Sequence, residues 1–290
     1  MSQVALKNPP EDGITNIEYH PIKTNLLVTS SWDKTIRLYD TNTCELKTKI
    51  DHDTPLLDTC FGHDYQAFSA GLNGSLHSID LATGKKESIG RHVEGTRSVC
   101  WSATSPVALS HDRIYVYDIR NMDTPWKVRE TTLRYMLKCV RVMPGGKGVA
   151  CSSIEGRVSM DFFGEDKDQI YAFKLHRQKL GDTEVVYPVN SLSFHPTYGT
   201  FASGGSDGVV SVWDGVNRKR IRQFSKFAEE ISNVAFNSDG SQLAIASSYT
   251  YDEGDRSHAP DSIYIRHLVE GDYKPKRMPG SSTTTKNDTL

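Results

Sequence analysis

A short strand-like pattern returns about every 40 residues along this chain, and it restricts the possible folds more than any other feature. Ile36-Arg37-Leu38-Tyr39-Asp40, Leu76-His77-Ser78-Ile79-Asp80, Ile114-Tyr115-Val116-Tyr117-Asp118, Val158-Ser159-Met160-Asp161 and Val210-Ser211-Val212-Trp213-Asp214 align, and Ile263-Tyr264-Ile265-Arg266 is a sixth copy. Their last aligned positions are 40, 80, 118, 161, 214 and 266. This spacing is that of the blades of a β-propeller, with insertions in the last two steps. The reading is therefore six blades.

Each copy has the same internal order. Alternating runs such as Ile17-Glu18-Tyr19 and Leu192-Ser193-Phe194 lead into His20-Pro21 and His195-Pro196, where proline ends the strand. Nearly continuous apolar or small runs follow, as in Leu26-Leu27-Val28-Thr29-Ser30 and Leu243-Ala244-Ile245-Ala246-Ser247. Such runs suit inner strands covered on both faces by adjacent blades. Tight polar hinges come next, at Trp32-Asp33-Lys34, Leu72-Asn73-Gly74 and Ser206-Asp207-Gly208. No sustained helical period is present, so the class is all-β. Val4-Ala5-Leu6 is expected to close the ring by pairing with the last blade. The propeller is assigned to residues 1–270. Residues 271–290, with Pro275, Pro279 and a Ser/Thr run, form a tail expected to be disordered.

Charge and cysteine usage exclude several functions. The 34 Lys and Arg nearly balance the 36 Asp and Glu, for a net charge of −2, so the basic excess of a nucleic-acid or membrane-surface binder is lacking. Without a leader or an apolar span, the chain is expected in the cytosol or nucleus. Cys44, Cys60, Cys100, Cys139 and Cys151 form no C-x-x-C pair, which indicates neither a disulfide framework nor a zinc site. No cofactor motif is found. Gly204-Gly205-Ser206-Asp207-Gly208 matches a nucleophile elbow, but strands on both sides make it a hairpin. His20 and His195, like Asp33, Asp112 and Asp207, recur from blade to blade and so read as architecture. The remaining histidines have no ligand or base partner at a recognisable spacing.

Binding residues should instead break the repeat. Three basic segments do so: Arg134 to Arg141, Ser152 to Arg157, and Tyr171 to Arg177, the last read as part of an insertion. They fit either a cationic binding patch or ordinary strand edges whose charges discourage edge pairing.

The runs Pro10-Glu11-Asp12-Gly13-Ile14, Ser152-Ser153-Ile154-Glu155-Gly156-Arg157-Val158, Tyr171-Ala172-Phe173-Lys174-Leu175-His176-Arg177 and Ala246-Ser247-Ser248-Tyr249-Thr250-Tyr251 closely resemble the WD-repeat β-propeller family of the mitotic checkpoint, Bub-three. The resemblance covers nearly the whole chain apart from the tail. It implies a non-catalytic adaptor of the nucleus, and of the kinetochore in mitosis. The family binds a short motif in the checkpoint kinase Bub-one and in its Mad-three/BubR-one relative, and docks them on phosphorylated Met-Glu-Leu-Thr repeats of a kinetochore scaffold. Carried over, Arg157 and Lys174 would hold the phosphothreonine, with Arg177 in the same block. Lys138 falls where the family has an arginine, keeping the charge without the bidentate fork. Trp32 would add apolar area to the same surface. The family usually has seven blades. Here the compressed copy, from Arg97-Ser98-Val99-Cys100-Trp101 to Arg113-Ile114-Tyr115-Val116-Tyr117-Asp118, reads as two blades joined with about 40 residues lost. The alternative is the sister family of messenger-RNA export factors. Gly204 to Trp213 and Tyr249-Thr250-Tyr251-Asp252-Glu253-Gly254-Asp255 look more like the checkpoint branch.

Overall fold

A computed structural model describes residues 3–62, 64–91, 98–100, 107–109, 113–116, 124, 127–163 and 170–275. After β1 (Gln3–Ala5), the chain builds one antiparallel sheet after another. Blade one is β2 (Ile14–Tyr19), β3 (Leu26–Ser31), β4 (Thr35–Asp40) and β5 (Glu45–Asp51). Blade two is β6 (Leu56–Phe61), β7 (Gln66–Gly71), β8 (Ser75–Asp80) and β9 (Lys86–Arg91). Blade three is β10 (Ser98–Cys100), β11 (Val107–Leu109), β12 (Arg113–Val116) and β13 (Lys127–Glu130). Blade four is β14 (Leu137–Val142), β15 (Gly148–Ser153), β16 (Arg157–Phe162) and β17 (Tyr171–Lys174). A separate hairpin, β18 (Arg177–Leu180) and β19 (Thr183–Val186), precedes blade five: β20 (Val189–Phe194), β21 (Phe201–Gly205), β22 (Val210–Asp214) and β23 (Lys219–Gln223). Blade six is β24 (Ile231–Phe236), β25 (Gln242–Ser247) and β26 (Ser262–His267), completed by β1.

Among the described residues there are thus six four-stranded sheets, the number expected from the repeat. The compressed copy is a single blade of short strands; Arg97, Trp101, Asp112, Tyr117 and Asp118 lie outside the described residues. The closing strand expected at Val4-Ala5-Leu6 is present, one residue earlier. Gln3, Val4 and Ala5 pair with Arg266, Ile265 and Tyr264, and the Leu6 N–H donates to Ile263 O at 2.8 Å.

The small-residue runs are the second strands of their sheets. In β3, β15 and β25 every position is buried, because neighbouring blades cover both faces. Nearest the axis, however, are the first strands, which pack side by side: β2 against β6 and β24, β20 against β24 and β14, and β14 against β10. The apolar core accordingly lies between blades. Val28 and Leu38 of blade one meet Leu56, Ala67 and Ile79 of blade two, while Val158 and Cys139 of blade four meet Leu192 and Phe201 of blade five. Each of the valine, leucine, isoleucine and phenylalanine side chains contributes about 1.5–3 kcal/mol by leaving water.

Two further features differ from expectation. Tyr171–Lys174 is the outer strand of blade four; the insertion is the hairpin that follows it. The short helix α1 (Glu270–Tyr273) crosses the boundary placed after residue 270, buries Asp272, and stacks the Tyr273 ring on His195 at 4.3 Å. His20 and His195 play the same part in their turns. The Nδ1 of His20 accepts the N–H groups of Ile22 and Lys23, and that of His195 accepts those of Thr197 and Tyr198.

Candidate functional site

The hinges between second and third strands gather on one face of the propeller, together with the ends of the fourth strands and the starts of the first. On blade four the strand register lines up a row across this face. Leu137 pairs with Ser153, Ser153 with Arg157, and Arg157 with Lys174. Directly opposed residues of an antiparallel pair present their side chains to the same side, so Arg157 and Lys174 are neighbours. Lys138 is the extra residue of a β-bulge at the inner end of the row. Gly156 makes the approach of strands possible: its φ is +61°, and an added Cβ would lie 2.8 Å from Leu175 O. The Leu175 N–H in turn donates to Gly156 O at 3.0 Å.

Two carboxylates answer the cations here. Arg157 Nε lies 3.5 Å from Glu155 Oε2. Glu184 Oε2, on β19, lies 3.8 Å from Lys174 Nζ and 2.9 Å from Arg177 Nη1. The other Arg177 nitrogen, Nη2, donates to Glu155 O at 2.8 Å. Three cations against two carboxylates leave one positive charge in surplus, and the Lys174 and Glu184 side chains are more than half exposed. The Nε atoms of Arg157 and Arg177 are buried and make no hydrogen bond within the described residues.

Lys138 Nζ reaches Asp252 Oδ1 at 3.4 Å, and the other Asp252 oxygen accepts the Ser206 hydroxyl at 2.8 Å. Asp252 follows β25 of blade six, so its carboxylate joins blade six to Lys138 of blade four and to Ser206 of blade five between them. Glu18 lies on β2, the first strand of blade one. Burial pushes its carboxyl up to about 7, helped by Asp58 and opposed by the Phe61 N–H and Arg141. Trp32 is 41% exposed at the hinge of blade one, against Gly13. It shares the face but stands three blades from Arg157. The structure therefore brings Arg157, Lys174 and Arg177 together, places Lys138 at the inner end of the same row, and leaves Trp32 across the channel.

Behind Arg177 lies a contact that local spacing did not reveal. His176, one of the histidines read as lacking a carboxylate partner, has φ +45° and is buried between blades. Its Nδ1 is 2.9 Å from Asp207 Oδ1 and its Nε2 is 2.8 Å from Ser203 Oγ, which also accepts Trp213 Nε1–H at 2.9 Å. The partners lie 31 and 27 residues away in sequence, on another blade. Serine, histidine and aspartate in this order are the groups of a nucleophilic triad, but Ser203 is wholly buried and holds the tryptophan N–H. The network anchors the start of the hairpin, and with it Arg177. Asp207 also accepts the Val209 N–H at 3.1 Å, the turn bond expected of a hinge aspartate.

Residues 4–40 and 182–214 match the family described as "WD domain, G-beta repeat". With the six sheets, the match defines the class as a WD-repeat β-propeller. The chain is 40% identical to "Mitotic checkpoint protein BUB3.1" of Arabidopsis thaliana, over 93% of this chain and 94% of the relative. It is 35% identical to "Mitotic checkpoint protein bub3" of Dictyostelium discoideum, over 91% and 94%. The chain belongs to the Bub3 family of mitotic checkpoint proteins. A "Poly(A)+ RNA export protein" of Schizosaccharomyces pombe, from the alternative branch, is 26% identical over 96% and 94%. The alignment with the plant protein runs over 321 positions, more than the 290 of this chain, so the relative carries residues that are absent here. This agrees with a lost repeat.

Proposed function

We propose that this protein is a non-catalytic adaptor of the spindle checkpoint, and that its hinge face binds a phosphorylated peptide through Arg157, Lys174 and Arg177. The observation that carries the reading is the direct pairing of Arg157 with Lys174 across β16 and β17, with Arg177 joined to the same carboxylate as Lys174. Charge-assisted hydrogen bonds from such a cluster suit a phosphate, which has three acceptor oxygens and a charge of about −2. The ligand of this cluster is a phosphorylated Met-Glu-Leu-Thr repeat of a kinetochore scaffold. The short motif of Bub-one or of a Mad-three/BubR-one protein lies across the channel mouth, from Lys138 toward Trp32. Its acidic residue competes with Asp252 for Lys138, and its apolar residues cover the Trp32 indole. The working location is the nucleus, and the kinetochore in mitosis.

Isothermal titration with phosphorylated and unphosphorylated Met-Glu-Leu-Thr peptides tests the phosphate site. The phosphorylated form should bind more tightly, and Arg157→Ala should weaken it by more than about 1 kcal/mol, the scale of a hydrogen bond to a charged group. Affinity indifferent to the phosphate would overturn the reading.

A further inference from the structure

The cation cluster already holds an anion, and it comes from outside the blades. Glu184 sits on the two-stranded hairpin β18–β19, and a single carboxylate oxygen serves both Lys174 and Arg177. Its side chain is about half exposed, so it can turn into water with little loss of packing or solvation. We propose that Glu184 is a built-in competitor for this site, which an incoming phosphate must displace. The inference rests on the phosphopeptide reading above.

The two anions differ in what they offer. The carboxylate brings one negative charge and pairs with two of the three cations. A phosphothreonine brings nearly twice the charge and enough acceptor oxygens for Arg157 as well. The phosphate therefore wins, but its apparent affinity falls in proportion to the fraction of molecules in which Glu184 holds the cations. An unphosphorylated peptide brings no phosphate to these cations and is not opposed in this way. The hairpin thus keeps phosphopeptide binding weak and readily reversible while protecting the cations from stray anions. Because half-exposed ion pairs hold weakly, releasing them should change affinity about two- to fivefold.

The experiment compares the full-length protein with Glu184→Gln and Glu184→Asp, titrating each with the phosphothreonine and threonine forms of one peptide at two salt concentrations. With Glu184→Gln the phosphorylated form should bind about two- to fivefold more tightly and the unphosphorylated form as before. The aspartate, one methylene shorter, should give a smaller gain, and both gains should shrink in high salt. If the original protein prefers the phosphorylated peptide but Glu184→Gln leaves that affinity unchanged, weakens it, or strengthens both forms alike, the competitor role falls and the phosphopeptide reading stands. If the original protein makes no distinction between the two peptides, both fall.

Discussion

In blade five the hinge carboxylate of Asp207 is buried against His176, whereas in blade four the residue at the same place, Glu155, faces Arg157 at the edge of an open cation cluster. The positions correspond because each precedes a glycine of positive φ, Gly208 at +72° and Gly156 at +61°. Each glycine carbonyl also accepts an N–H from the chain leaving the blade, that of Phe227 in one and Leu175 in the other. Blade one supplies a third case: Asp33 precedes Lys34 at φ +67°, whose carbonyl accepts the His52 N–H. Asp33 is paired with Arg37 at 2.8 Å in a site about nine-tenths buried. One backbone geometry thus carries three different carboxylate roles, and the burial of the partner side chain separates them. Where solvent is excluded, the carboxylate is committed to structure. Where the face stays open, the cation beside it remains available to a ligand.

Unfolding measurements on three substitutions can break or sharpen this contrast. The largest loss is expected for Asp33→Ala, about 3 kcal/mol, because it leaves the buried Arg37 guanidinium without its counter-charge. Asp207→Ala should cost about 2 kcal/mol by orphaning the buried His176 nitrogen and the Val209 N–H. Glu155→Gln should cost less than about 0.5 kcal/mol, since its partner Arg157 is more than a third exposed and the amide preserves the shape. Chemical denaturation of the three variants under one set of conditions reads the order directly. Equal losses at the three positions would show that hinge geometry, and not burial, sets the cost.

Much of the architecture was legible in one dimension. The return of Ile36-Arg37-Leu38-Tyr39-Asp40 at near-regular steps counted the blades, and the need to close the ring located the strand around Val4 that completes the last one. The two basic blocks that hold Arg157 and Lys174 stood out because they break the repeat. Their partners did not. Glu184 lies ten residues beyond Lys174 on a hairpin taken for part of a longer insertion, and Asp252 lies 114 residues beyond Lys138. The strand Tyr171–Lys174 was also misplaced, because a segment of mixed polarity at a blade edge carries no clear two-residue alternation.

Repeat length, hinge glycines and alternating burial belong to hydrogen bonding between strands close in sequence, so the amino-acid order alone determined the all-β class, the number of blades and the hinges. Which side chains meet between blades depends on how sheets distant in sequence pack around a common axis, and no local pattern records that. Only the tertiary structure decided that His176 reaches Asp207, that Lys138 meets Asp252 of blade six, and that Glu184 rests on the cations. The physical reason is that an ion pair or a buried hydrogen bond needs two groups within about 3–4 Å, a distance set by the packing of whole blades and not by position along the chain.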